Sequence, residues 1–131
     1  MATRTKAQRQ ENNLDFPRRG DIYLVNFDPT AGAEIQKTQP ALVLQNDIAN
    51  RYSAITIVVA ITSKFDLPPY PTEVAMQPNE SGLPQASSAL LNQIRSVDRK
   101  RLIKRIGKAD AETMRRVEKA LKISLGLIQI Q

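Results

Sequence analysis

Residues 54–62, AITIVVAIT, form the most apolar stretch of the chain. The segment is short, rich in β-branched side chains and lacks an alternating polar face. It therefore predicts a strand buried on both faces, an interior member of a sheet. Upstream, residues 41–45 (ALVLQ) predict a second strand, joined to the first stretch by a polar connection over residues 46–53. Residues 21–28, DIYLVNFD, have the Ile, Tyr, Val and Phe content of another strand. Asp28-Pro29-Thr30 closes it with a turn in which Pro29 sets φ at the second position. Residues 31–38 read as a loop, and loops of that length inside a compact domain often carry function. Downstream, Pro68, Pro69 and Pro71 argue against regular structure over residues 64–71. Residues 72–77 and 88–96 predict two further strands, and residues 97–102 a short basic helical turn. Asp110 is placed to cap a final helix whose apolar face is Met114, Val117, Leu121 and Leu125, with Gly126 as its stop. The expected fold class is mainly β with α: a small barrel of about five strands and a C-terminal helix.

The first seventeen residues, MATRTKAQRQENNLDFP, lack periodicity and predict a disordered arm, leaving residues 18–131 as a single domain. The chain has no cysteine, which excludes disulfides and thiolate metal sites. It has no histidine, which excludes histidine acid–base pairs, Ser-His-Asp triads and His-ligated zinc. No resident cofactor or metal is expected, and chemistry must come from carboxylates, hydroxyls, amides, Arg or Lys. No apolar run approaches the ~20 residues of a membrane span, and nothing resembles a signal peptide. A cytoplasmic protein with no membrane association is expected.

The net charge of +6 is unevenly distributed. Residues 1–19 carry +3, residues 20–94 carry −4 and residues 95–131 carry +7. The densest cluster is Arg99, Lys100, Arg101, Lys104 and Arg105. Such asymmetry suits a polyanion, because bound cations displace condensed counterions from phosphates; a solvated basic face is the alternative.

Several fragments, in order, resemble the MazF/PemK toxins. They are Arg19-Gly20-Asp21-Ile22, Asp28-Pro29-Thr30 with Gly32 and Glu34, and Pro40-Ala41-Leu42-Val43-Leu44. Further on come Gln45-Asn46-Asp47 with Asn50, Ala60-Ile61-Thr62 and Leu91-Asn92-Gln93-Ile94-Arg95. The resemblance implies an SH3-like barrel of the PemK/CcdB type that forms a homodimer. It also implies a toxin that cleaves single-stranded RNA or mRNA at short motifs without a metal. In that family's reaction the 2′-hydroxyl attacks the adjacent phosphate, leaving a 2′,3′-cyclic phosphate and a 5′-hydroxyl. A cognate antitoxin with a disordered acidic tail is the implied protein partner.

Carried over position by position, the resemblance assigns catalytic roles to residues 39 and 62. Thr62 matches the family's catalytic hydroxyl, although a threonine also ends many ordinary strands. At position 39 the chain departs from the pattern: the family has an arginine before the proline of the second strand, and here it is Gln39. A guanidinium grips phosphate with a planar, permanently charged fork, whereas an amide donates hydrogen bonds without charge. Three accounts stay open. Gln39 is an introduced substitution; or Lys37 or Arg19 supplies the missing charge; or the chain is an inactive homologue that only binds RNA or antitoxin. The gyrase-binding toxins on the same barrel are a further alternative, which Thr62 and the context of residues 37–40 disfavour.

RNA-binding roles fall to Arg19, Glu34, Lys37, Ser87 and Gln93. Glu34 suits loop ordering or base contact better than proton abstraction, because a carboxylate beside phosphate is electrostatically poor unless protonated. Lys37 is either a phosphate contact or a solvated loop lysine. Gln93 matches a position lining the family's RNA groove, where an amide can read unstacked bases. Ser87 begins the same strand. Tyr52 and Tyr70 can stack on bases, but so few aromatics exclude an extensive stacking platform.

Overall fold

A computed structural model describes residues 16–27 and 38–130. The predicted loop at residues 31–38 and the Asp28-Pro29-Thr30 turn lie outside the described residues, apart from Thr38. So does the N-terminal arm apart from Phe16 and Pro17, which are both buried.

Six strands form one antiparallel sheet. They are β1 (Asp21–Asn26), β2 (Thr38–Val43), β3 (Ile55–Thr62), β4 (Glu73–Met76), β5 (Ser87–Asp98) and β6 (Leu102–Lys108). Helix α1 (Asp47–Tyr52) links β2 to β3, a short α2 (Pro78–Ser81) follows β4, and α3 (Ala111–Ser124) closes the chain. A 3₁₀ turn, Arg99–Arg101, joins β5 to β6 where a basic helical turn was expected. The order across the sheet is β4-β5-β3-β2-β1-β6, which makes β3 an interior strand.

The expected class, mainly β with a C-terminal helix, is found, and two details of it differ. The sheet has six strands where about five were expected, the additional one being β6, which gives no legible strand signal. Its pairing with β1 shifts register twice: Ile22 faces Gly107 but Tyr23 faces Arg105, and Leu24 faces Lys104 but Val25 faces Leu102. Ile106 and Ile103 fall in those bulges, so the apolar–polar alternation that marks a strand is broken. The second is that the strands do not close into a barrel, since β4 and β6 are the two edges of the sheet and do not pair with each other. Their seam is filled by the turn after α2. Gly82 has φ +78°, and a Cβ there would stand 1.8 Å from the Ile106 carbonyl oxygen. A Cβ on Gly107 would stand 1.9 Å from that of Ser81. Backbone packed on backbone at two glycines takes the place of a final strand pair.

The polar connection expected over residues 46–53 holds α1. Asn46 caps it by accepting from the Ala49 amide at 2.8 Å. The helix is tied inward by Asn50, which is fully buried. Its Nδ2 donates to the Gln45 carbonyl at 2.9 Å and to Asp47 Oδ1 at 3.3 Å. Its Oδ1 accepts from Gln45 Nε2 at 2.9 Å and from the buried Thr56 hydroxyl at 2.7 Å. Every polar atom of the buried amide is satisfied, as burial demands.

Strand β3 is buried on both faces, as its composition predicts. Val59 and Ile61 enter the larger core with Ile22, Leu42, Leu91, Met114 and Val117. Val58 enters a smaller cluster with Val25, Phe27, Ala41 and Val97. Helix α3 is capped by Asp110, which accepts from the Thr113 amide at 2.8 Å. Gly126, at φ +75°, turns the chain out of it. The helix buries Met114, Val117 and Ala120 and packs Leu121 on the core, while Leu125 stays exposed beyond the last turn.

Candidate functional site

Strands β2, β3 and β5 converge on one open hollow of about 280 Å³, lined by Phe27, Gln39, Ala60, Gln93, Ile94 and Arg95. Pairing explains why these residues meet. In the β2–β3 ladder Ala41 faces Ala60, and Gln39, two residues before Ala41, reaches the Ile61 carbonyl near the end of β3. In the β3–β5 ladder Val59 faces Ile94 and Ile61 faces Ala89, leaving residues 90–93 opposite Ala60 alone. This irregularity pushes Asn92 and Gln93 to the surface, where both are exposed. The small Ala60 side chain leaves the floor of the hollow open.

Gln39 is half-buried, and its Nε2 donates to the Ile61 carbonyl at 3.2 Å. The amide is thereby anchored to the residue immediately before Thr62. Thr62 Oγ1 accepts from the Lys64 amide at 3.0 Å, a local turn in which the hydroxyl ends the strand. Thr62 therefore neighbours the hollow through Ile61 without lining it.

The remaining sequence-derived candidates are placed elsewhere. Ser87 is buried, and its hydroxyl donates to the Gln85 carbonyl at 2.9 Å. Arg19 lines a separate polar cavity with Phe16, Arg18, Asp21, Tyr23, Asp47, Arg105 and Lys108. There its backbone amide donates to Asp47 Oδ1 at 2.7 Å and its guanidinium to Glu118 Oε2 at 2.9 Å. Glu34 and Lys37 lie outside the described residues. The structure thus brings Gln39 and Gln93 together, sets Thr62 beside them, and separates Arg19 and Ser87 from them.

The hollow holds one residue to which the sequence analysis gave no role, Arg95. Its exposed guanidinium carbon lies 4.9 Å from the centroid of the Phe27 ring. The signal that could have found it was period two, because residues two apart on a strand share a face and Arg95 follows Gln93 at that spacing. The basic cluster behaves differently. Arg99 donates to the Asn50 and Ser53 carbonyls at 3.4 and 3.3 Å. Arg101 donates to the Asn26 carbonyl at 3.2 Å, and Arg105 pairs with the buried Asp21 at 3.1 Å. Among the described residues no helix is long and apolar enough to cross a membrane.

Comparison with known proteins gives a consistent picture. Residues 18–125 match the family described as the PemK-like, MazF-like toxin of type II toxin–antitoxin systems. The endoribonuclease EndoA of Bacillus subtilis (strain 168) is 42% identical over 111 residues, which span 85% of this chain and 96% of the relative. A MazE–MazF crystal structure from Deinococcus radiodurans is 29% identical with a TM-score of 0.72, covering 86% of this chain and 98% of that one. A mycobacterial endoribonuclease in complex with its cognate antitoxin is 25% identical at TM-score 0.72, covering 87% and 99%.

Proposed function

Because the chain belongs to the PemK-like, MazF-like toxin family of type II toxin–antitoxin systems, we propose that it is a sequence-specific endoribonuclease of single-stranded RNA, working at the Gln39–Gln93 hollow. The observation that carries this assignment is the juxtaposition of both amides over Ala60, one of them anchored beside Thr62. A shallow, open site with amide donors suits an unstacked nucleotide, whose phosphate and base edges both need hydrogen bonds. In the step proposed, the ribose 2′-oxygen bonds to phosphorus as the bond from phosphorus to the 5′-oxygen breaks. One proton leaves the 2′-hydroxyl and one reaches the departing 5′-oxygen, so the step is redox-neutral and needs no co-reactant.

Each residue has a distinct part. Gln39 Nε2 has a second N–H beyond the one held by Ile61, and it donates to a non-bridging phosphate oxygen. Thr62 holds the scissile group at the end of β3, and Gln93 reads a base edge. Holding the reacting oxygen in line with the leaving group is itself a large share of such catalysis. Glu34, Lys37, Ser87 and Arg19 are assigned to binding RNA around this centre or to ordering its surroundings. The working form proposed is a cytoplasmic homodimer, neutralised by an antitoxin whose acidic tail competes with RNA. The Deinococcus MazE–MazF structure and the mycobacterial complex with its cognate antitoxin support a protein partner of that kind.

The test is incubation of a long single-stranded RNA with the protein in excess chelator, followed by analysis of the new ends. Cyclic 2′,3′-phosphate and 5′-hydroxyl ends are expected, together with loss of cutting when the attacking ribose is 2′-deoxy. Gln39→Arg is expected to raise the rate about tenfold or more, since a charged donor is stronger than a neutral one. Absence of cleavage by both proteins, with RNA still bound, would instead favour capture without chemistry, the reading that the uncharged Gln39 supports.

A further inference from the structure

We infer that Arg95 is the cation of this hollow, gripping the non-bridging oxygens of the scissile phosphate and stabilising the charge that develops there. The inference rests on the endoribonuclease reading of the same site and names a residue to which that reading gave no role. Three observations carry it.

First, Arg95 is the one ionisable side chain among the six that line the hollow. Charge grows on the phosphate oxygens during attack, and donors aimed there in advance are a large part of such catalysis. The two amides, Gln39 and Gln93, donate hydrogen bonds but offer no charge. Any cationic stabilisation from the described residues of the hollow must come from Arg95.

Second, its donors are unspent among the described residues. Arg19 pairs with Glu118, Arg105 with Asp21 and Arg115 with Glu112. Arg99 and Arg101 donate to backbone carbonyls. Among the described residues no carboxylate or carbonyl partner engages the Arg95 guanidinium. A guanidinium with no carboxylate or carbonyl partner among the described residues, beside two amides that still have N–H groups to donate, is arranged for an anion from outside.

Third, its orientation is held. Stacking 4.9 Å over the Phe27 ring restrains the plane of the guanidinium while leaving its N–H edges available. Phe27 is itself buried in the smaller core cluster, so the platform is rigid. Arg95 moves no proton. It contacts only the phosphate oxygens, while the 2′-oxygen bonds to phosphorus and the 5′-oxygen departs.

The test is cleavage of the same single-stranded RNA by the wild type, Arg95→Ala, Arg95→Lys, Gln39→Arg and the double variant Arg95→Ala/Gln39→Arg, with thermal melting of each. Arg95→Ala is expected to lower kcat about 100-fold or more, with an unchanged melting temperature because the side chain is exposed. Arg95→Lys is expected to recover part of the loss, as a point charge without the planar fork. The double variant is expected to regain at least tenfold over Arg95→Ala, because Gln39→Arg returns a guanidinium to the same hollow. A residue that only propped up Phe27 would not be rescued in that way. Arg95→Ala cleaving within threefold of the wild type, or losing activity that Gln39→Arg does not restore, would overturn the inference. So would an inactive wild type beside an active Gln39→Arg. Inactivity of both those proteins would instead overturn the endoribonuclease reading on which the inference stands.

Discussion

Asn50 and Gln39 are both polar residues drawn from fragments that look functional in sequence, yet the structure uses them in opposite ways. Asn50 is fully buried and spends its amide inside the molecule, on Gln45, Asp47 and Thr56. Gln39 is half-buried at an open hollow, with one N–H held by Ile61. Asn50→Ala should therefore act on stability. It strands the buried Thr56 hydroxyl and takes the Asn50 donor from the Gln45 carbonyl, at a cost of about 2–4 kcal/mol, measurable by urea denaturation. If the loss stays within about 0.5 kcal/mol, the buried network has little energetic role. The sequence showed both residues as polar positions in conspicuous fragments. Whether an amide faces inward or outward is settled by which neighbours pack over it, and those neighbours are distant in the chain.

Element by element, the strands were legible where periodicity or composition is simple. Residues 54–62 predict β3 (Ile55–Thr62) almost to its ends, because a strand covered on both faces must be apolar throughout. β6 was not legible, because two bulges insert Ile103 and Ile106 and none of its residues is buried. Neither was the seam between α2 and β6, which depends on Gly82 and Gly107 lying against each other's backbone. Gly82→Ala meets both a positive φ and a carbonyl oxygen at 1.8 Å. It is expected to destabilise by more than about 2 kcal/mol, or to spring the α2 turn off β6. Hydrogen exchange at the β6 amides should rise in that variant more than at β3. Equal exchange at both strands, with stability unchanged, would show that the seam does not hold the two edges together.

Across the whole molecule, charge and shape combine. The +7 of residues 95–131 is partly offset internally by the Arg105–Asp21 pair, and the Arg99 and Arg101 side chains are tied to backbone carbonyls. Lys100 and Lys104 are exposed and remain at the surface as a source of attraction. Lys100→Glu/Lys104→Glu should slow association with RNA and flatten its salt dependence by about 0.7 in logarithmic slope for each phosphate no longer neutralised. The chemical step at the hollow should be untouched at saturating RNA, and an unchanged salt slope would rule these lysines out as RNA-binding groups. The sequence by itself determined that the domain is mainly β with a capped terminal helix, that β3 lies inside the sheet, and that no histidine or cysteine chemistry is available. Those properties are local: composition, period and residue type carry them. Only the tertiary structure decided that β4 and β6 do not pair with each other, that Arg19 and Ser87 lie apart from Gln39, and that Arg95 lies with it. Strand register and bulges set which side chains become neighbours, and register is a property of two strands at once.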